Sequence, residues 1–158
     1  MRHVAPQPTV EDIETLIAPF LALEGPLLPI LHALQEEYGH IPAQAHVPVA
    51  EALNISRAKL HGVISFYHDF RDKPAGRHVL KLCRAEACQA VGGAALAAET
   101  LARLGLDWHG TTPDGALTVE PVYCLGLCAC APAAMLDNRV VARVDAAKLD
   151  RLLAEARA

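Results

Sequence analysis

No uncharged stretch of this sequence is long enough to cross a bilayer. The longest, Pro121 to Leu136, is interrupted by two prolines, carries three cysteines and falls short of the roughly 18 residues a spanning helix needs. Membrane insertion is therefore not expected. The amino terminus also lacks an apolar run of the signal-peptide kind: Met1-Arg2-His3-Val4-Ala5-Pro6-Gln7-Pro8 leads straight into the acidic Glu11, Asp12 and Glu14, so a cytoplasmic location is expected. No G-x-G-x-x-G or Walker-type loop is present, so the chain alone should bind neither NAD nor FMN. A C-x-x-C redox dithiol is missing as well, which argues against a thioredoxin-type oxidoreductase, and with no H-E-x-x-H or comparable pair the histidines read as surface or core residues rather than metal ligands. A basic surplus is lacking too, with 14 Lys and Arg against 18 Asp and Glu for a net charge of -4, which speaks against nucleic acid as a partner.

What is present begins with 158 residues of which 53% are hydrophobic and 20% charged, enough to bury a core and too apolar for a disordered tail. Alanine fills 29 positions while aromatics make up only 4%, so small side chains and close-packed helices should dominate that core. The acidic excess lies entirely before the Asp72-Lys73-Pro74-Ala75-Gly76 stretch, where Pro and Gly mark a linker. Two domains are expected, residues 1–73 and 74–158. The first reads as helical: Thr9 with Asp12 as an N-cap ahead of Val10, Ile13, Leu16, Ile17 and Phe20, then a helix from Pro26 stopped by Gly39. Shorter helices are expected from about Pro48 to Leu53 and after a Ser56 cap. The second changes period. Arg77 to Cys83 alternates like a strand, a helix should run from about Cys88 to Leu104, and Leu117 to Val122 reads as another strand. Ala133 to Leu136 and Arg139 to Val144 flank an Asp137-Asn138 hairpin turn, and Asp145 caps a last helix bearing Leu149, Leu152 and Leu153. The fold class is α+β: an N-terminal helical bundle, then an α/β domain with a thioredoxin-like layout.

The five cysteines carry the chemistry. Cys83 and Cys88 form a C-x4-C pair at a strand-to-helix junction, and Cys124 and Cys128 a C-x3-C pair just after the next strand. In a reducing compartment such spacing points to metal ligation rather than disulfides. Four thiolates around one point can hold a tetrahedral zinc, or two sulfide-bridged irons with two thiolates each, and spacing alone leaves both open. Loops wider than C-x2-C knuckles, with Gly92, Gly93 and Gly126 allowing close backbone approach, lean toward iron.

The residues also carry a family resemblance. Ile64-Ser65-Phe66-Tyr67, Pro74-Ala75-Gly76-Arg77-His78, Cys83-x4-Cys88 and Val122-Tyr123-Cys124-Leu125-Gly126-Leu127-Cys128 with Ala131-Pro132 resemble the thioredoxin-like 2Fe-2S ferredoxin subunits of NADH-linked enzymes. That family includes a peripheral-arm subunit of respiratory complex I, subunits of NAD-linked hydrogenases and the gamma subunit of soluble NAD-dependent formate dehydrogenases. The strings Leu82 to Gln89 and Cys128-Ala129-Cys130-Ala131-Pro132 look most similar to the formate dehydrogenase branch. The resemblance implies an electron-transfer subunit with one 2Fe-2S cluster on Cys83, Cys88, Cys124 and Cys128, and no substrate chemistry of its own. It also implies an FMN- and NAD-binding diaphorase-type partner, further iron-sulfur clusters in partner subunits, and a molybdenum-containing subunit that oxidises formate to carbon dioxide. Cys130 stands where complex I relatives carry another residue, and the family pattern makes Cys128 the ligand and Cys130 a bystander.

Two rival readings come from other classes. Val49 to Ile64 has the look of a helix-turn-helix, which would make the chain an iron-sulfur regulator, but its second helix offers only Arg57, Lys59 and a histidine in a net-negative region. A structural zinc protein is the other. Trp108 and Tyr123 are candidates for shielding the metal site from water, with ordinary packing the plainer role for Trp108.

Overall fold

The structure is a computed structural model that describes residues 7–157. Met1 to Pro6, on which the expected lack of a signal peptide partly rests, lie outside those residues. The chain divides into two compact units, Met1–Pro74 and Ala75–Ala158.

In the first unit, α1 (Val10–Ile17) starts from a full capping box: the Thr9 side chain accepts from the Asp12 N–H while the Asp12 carboxylate accepts from the Thr9 N–H and hydroxyl. A 3-10 turn (Ala18–Phe20) follows. Helix α2 (Leu27–Tyr38) has Pro26 at its N-cap and ends at Gly39, which takes the left-handed conformation with φ 75° that a C-cap needs. Helices α3 (His46–Ala52) and α4 (Arg57–Phe66) complete the unit, α4 being capped by Ser56, whose hydroxyl accepts from the Lys59 N–H. Ile13, Ile17, Ile30, Leu31, Leu34, Val49 and Leu60 are at most 1% exposed and form its core. After α4 the chain is clamped by one side chain: the Gln35 amide donates to the Asp69 carbonyl and accepts from the Arg71 N–H.

The Thr9 cap supplies a direct test. The Thr9→Ala variant is expected to lose about 1 kcal/mol in denaturant unfolding of the helical unit, the usual worth of such a cap. The Thr9 hydroxyl and N–H hold the Asp12 carboxyl below its ordinary value. A depressed carboxyl stabilises the fold above its unfolded value near ~3.9 and gives that contribution up as pH falls through the folded value. The difference between wild type and Thr9→Ala should therefore shrink in acid below about pH 4.

The second unit is built on a four-stranded sheet of order β2-β1-β3-β4. Strand β1 (His78–Cys83) runs parallel to β2 (Leu117–Val122) and antiparallel to β3 (Ala134–Leu136), which pairs antiparallel with β4 (Arg139–Val141) across the Asp137-Asn138 turn. Asp137 alone takes positive φ there, at 52°. The expected single helix from Cys88 to Leu104 is two: α5 (Glu86–Ala90) and α6 (Gly93–Leu104), broken by Gly92 at φ 91°, a conformation alanine-rich sequence on either side cannot adopt cheaply. Helix α7 (Ala146–Glu155) starts from Asp145, whose carboxylate accepts from the Lys148 N–H. Leu80, Leu82, Leu117 and Val119 on one face of the sheet pack with Ala97 of α6 and Leu149, Leu152 and Leu153 of α7. Helices first, then a mixed sheet with helices packed on it: this is the expected α+β class with a thioredoxin-like domain. No helix among the described residues is long and apolar enough to cross a membrane.

Candidate iron-sulfur site

The parallel pairing of β1 with β2 decides where the cysteines meet. Cys83, the last residue of β1, is in register with Val122, the last residue of β2, so both strands end together and their following turns share one edge. Cys88 sits in the middle of α5, five residues on. Cys124 and Cys128 lie on the turn after β2, where Cys124 holds φ 86° and Gly126 φ 77°. A non-glycine residue held there costs about 1–3 kcal/mol, strain that collects at functional turns. Hydrogen bonds lock the surrounding backbone: Cys83 N–H to the Ala133 carbonyl at 3.0 Å and Arg84 N–H to the Val122 carbonyl at 2.8 Å, while the Gln89 amide donates to the Arg84 carbonyl at 2.7 Å.

Within this frame the sulfurs approach in pairs. The Sγ atoms of Cys124 and Cys128 are 3.6 Å apart, and Gly126 donates its N–H to the Cys124 sulfur at 3.4 Å. Two thiolates bound at about 2.3 Å to one tetrahedral metal sit roughly 3.8 Å apart, so this pair is already spaced for a shared ion. The Cys83 and Cys88 thiols perturb each other's ionisation. Burial opposes ionisation of Cys83, yet N–H groups of Ala85, Cys124 and Leu125 and the Cys88 thiol together bring its pKa below the ordinary value. Cys88 is pushed up, first by burial and then by the Cys83 thiol, with the Ala133 N–H pulling the other way. Cys128 is pushed up by its hydrogen bond to Cys124 and by the negative charge Cys124 would carry. Cys83 also raises the pKa of both Cys88 and Cys128, so its influence reaches both pairs.

Cys88 and Cys128, whose ionisation neighbouring thiols oppose, gain most from a bound positive charge, and two pairs of cysteines fit two irons with two thiolates each. Among the described residues no group of three or more His, Cys, Asp or Glu side chains is arranged around a single ion. The two pairs also differ in surroundings. Cys83 and Cys88 are 5% and 2% exposed within an apolar shell of Ala133, Val122, Leu125 and Leu127, while Cys124 and Cys128 face solvent.

All four sequence-derived cysteines thus meet at one edge. Cys130 is tied in through its backbone, donating to the Leu127 carbonyl and accepting from the Arg143 N–H, and its side chain is half-exposed. Of the three glycines expected to admit close backbone approach, Gly93 does so: a Cβ there would lie 2.6 Å from the Cys88 carbonyl oxygen. Gly92 and Gly126 have open space and serve through positive φ instead. Tyr123 is 68% exposed and shields nothing by burial, whereas Trp108 packs against the sheet core. Sequence reasoning missed the amide donors of Ala85, Leu125 and Ala133, because a backbone N–H leaves no mark in residue identity.

Residues 13–157 match the model of one protein family, thioredoxin-like [2Fe-2S] ferredoxin. The chain is 36% identical to an NADH-quinone oxidoreductase subunit of Rhizobium meliloti over 94% of its own length and 88% of the relative's. It is 30% identical to an NADP-reducing hydrogenase subunit of Solidesulfovibrio fructosivorans over 96% and 89%. A crystal structure of NAD+-reducing [NiFe]-hydrogenase in the air-oxidized state superposes with a TM-score of 0.66 and 29% identity over 80% of this chain, which spans only 22% of that longer one.

Proposed function

Because the chain belongs to the thioredoxin-like 2Fe-2S ferredoxin family, we propose that it is the one-electron-carrying subunit of an NAD-linked oxidoreductase complex and holds its cluster on Cys83, Cys88, Cys124 and Cys128. The observation that carries this reading is the meeting of the two cysteine pairs where β1 and β2 end, with one pair spaced 3.6 Å apart. When bound, a 2Fe-2S cluster supplies electron exchange one electron at a time, so a flavin that divides hydride pairs is the partner this chemistry requires. The chain's own residues do the rest. Cys83 and Cys88 exclude water from the inner side, the amides of Ala85, Leu125 and Ala133 stabilise negative charge on their sulfurs, and Cys124 and Cys128 bring the site to the surface, where a partner can approach.

Within that class the finer reading is the gamma subunit of an NAD-dependent formate dehydrogenase, beside an FMN- and NAD-binding diaphorase-type subunit and a molybdenum-containing catalytic subunit. Its support is the pair of strings Leu82 to Gln89 and Cys128 to Pro132. The relative from Rhizobium meliloti favours a second reading, the corresponding subunit of an NADH-quinone oxidoreductase.

One preparation tests both levels. The complex purified anaerobically with its native partners should be brown, this chain separated from it anaerobically should retain about two irons and two sulfides per copy, and a colourless zinc-bound chain would refute the cluster. Molybdenum in the complex together with formate-dependent reduction of NAD+ supports the formate reading. Quinone reduction by NADH without molybdenum transfers the assignment to the second.

A further inference from the structure

Arg84 follows the first cysteine directly and is held at three points. Its N–H donates to the Val122 carbonyl, its carbonyl accepts from the Gln89 side chain, and its guanidinium carbon lies 5.2 Å from the centroid of the Trp108 ring. The last distance is within the range of a cation–π contact. Trp108 is itself packed against the sheet core, so the ring is a fixed platform rather than a mobile flap. Both residues are half-buried. The only other charge in the loop between Cys83 and Cys88 is Glu86, which is exposed and screened by water.

We infer that Arg84, positioned by Trp108, raises the reduction potential of the cluster held at this site. The inference rests on the cluster reading above. Reduction brings in one electron, with no bond made or broken in the protein and no proton required, so the site becomes one unit more negative. A permanently protonated guanidinium fixed one residue from a ligand favours that more negative state. Without the ring the same side chain would reach into solvent, where water and salt would blunt its field. Trp108 is thus a positioning residue and Arg84 the group that acts. Arginine suits the role because its planar cation stacks on a ring face, which a lysine ammonium does less well.

The test uses the full chain with its cluster in place and a mediator titration with dithionite followed by electron paramagnetic resonance. In Arg84→Gln the ratio of reduced to oxidised cluster at a fixed ambient potential should fall about threefold, equivalent to ~28 mV for a one-electron couple at 59 mV per tenfold change. Arg84→Lys should stay within about half of that shift, which a purely structural role for Arg84 would not produce. Trp108→Leu should also lower the ratio, and its potential should become more salt-dependent than that of the wild type. The fluorescence of Trp108, the sole tryptophan, should change in Arg84→Gln as the stack is lost. An unmoved ratio in both Arg84→Gln and Trp108→Leu, with iron content intact, overturns the inference alone. A wild-type chain without a cluster overturns the reading beneath it as well.

Discussion

Alanine in place of Cys88 is expected to abolish the visible absorption of the chain and to bring iron from about two atoms per chain to near zero. Cys88 is 2% exposed, lies beside the Cys83 thiol and receives the Ala133 amide, so on the proposed ligation its removal takes away a ligand, leaves one iron with one thiolate and opens the apolar shell on the inner side. Cys83→Ala should do the same. Cys124→Ala and Cys128→Ala should also bleach the protein, since on the proposed ligation each leaves its 3.6 Å partner alone on one iron. They should disturb the fold less, because both thiols face solvent. Cys130→Ser is the control: absorption should survive, and bleaching as deep as that of a Cys128 replacement would move the ligand from Cys128 to Cys130. Iron analysis alongside far-ultraviolet circular dichroism separates lost ligation from lost folding.

That experiment has a clear target because local sequence signals mark most of the scaffold. Thr9, Ser56 and Asp145 are short polar side chains ahead of apolar periodic runs, and all three cap helices. Gly39 ends α2 by the left-handed conformation the sequence suggests. β2 has the same ends in the structure as in the reading, since its alternation lies between turn residues on both sides. The break between α5 and α6 was not legible, because alanine on both sides of Gly92-Gly93 favours helix and a tertiary demand at Cys88 overrides it. The Gln35 clamp was invisible for a related reason. Its partners, Asp69 and Arg71, lie more than thirty positions away and offer only backbone.

The site divides in the same way. Which cysteines pair could be read from spacing, since C-x4-C and C-x3-C bring thiols together within one turn of chain. That the two pairs meet depends on β1 and β2 being parallel and in register at Cys83 and Val122, a long-range fact no local pattern carries. The difference between a buried pair and an exposed pair is also long-range, set by Ala133 and the leucines of the second loop closing over the first. This asymmetry matters for an electron carrier. One side of the site is dry and rich in amide donors, and the other is open to an approaching protein.

Gly93→Ala is expected to empty the site although it touches no thiol. The added Cβ would stand 2.6 Å from the carbonyl oxygen of Cys88 and 3.0 Å from its carbonyl carbon, both backbone atoms that no rotamer change can move aside. Relief requires α5 and α6 to separate at their junction, which draws Cys88 away from Cys83. Overpacking of this kind costs about 1–3 kcal/mol, and here the shift falls on Cys88, a ligand in the proposed site. Iron content should drop well below half that of the wild type under identical reconstitution, with the remaining cluster lost faster on chelator challenge. Gly92→Ala supplies the contrast. It has open space but a backbone at φ 91°, so alanine there should cost about 1–2 kcal/mol of stability by conformational strain. Once folded, that variant should load iron nearly as well as the wild type. Equal iron loss in the two variants would mean that general destabilisation empties the site, and the close contact at Gly93 would then have no special part in holding Cys88 in place.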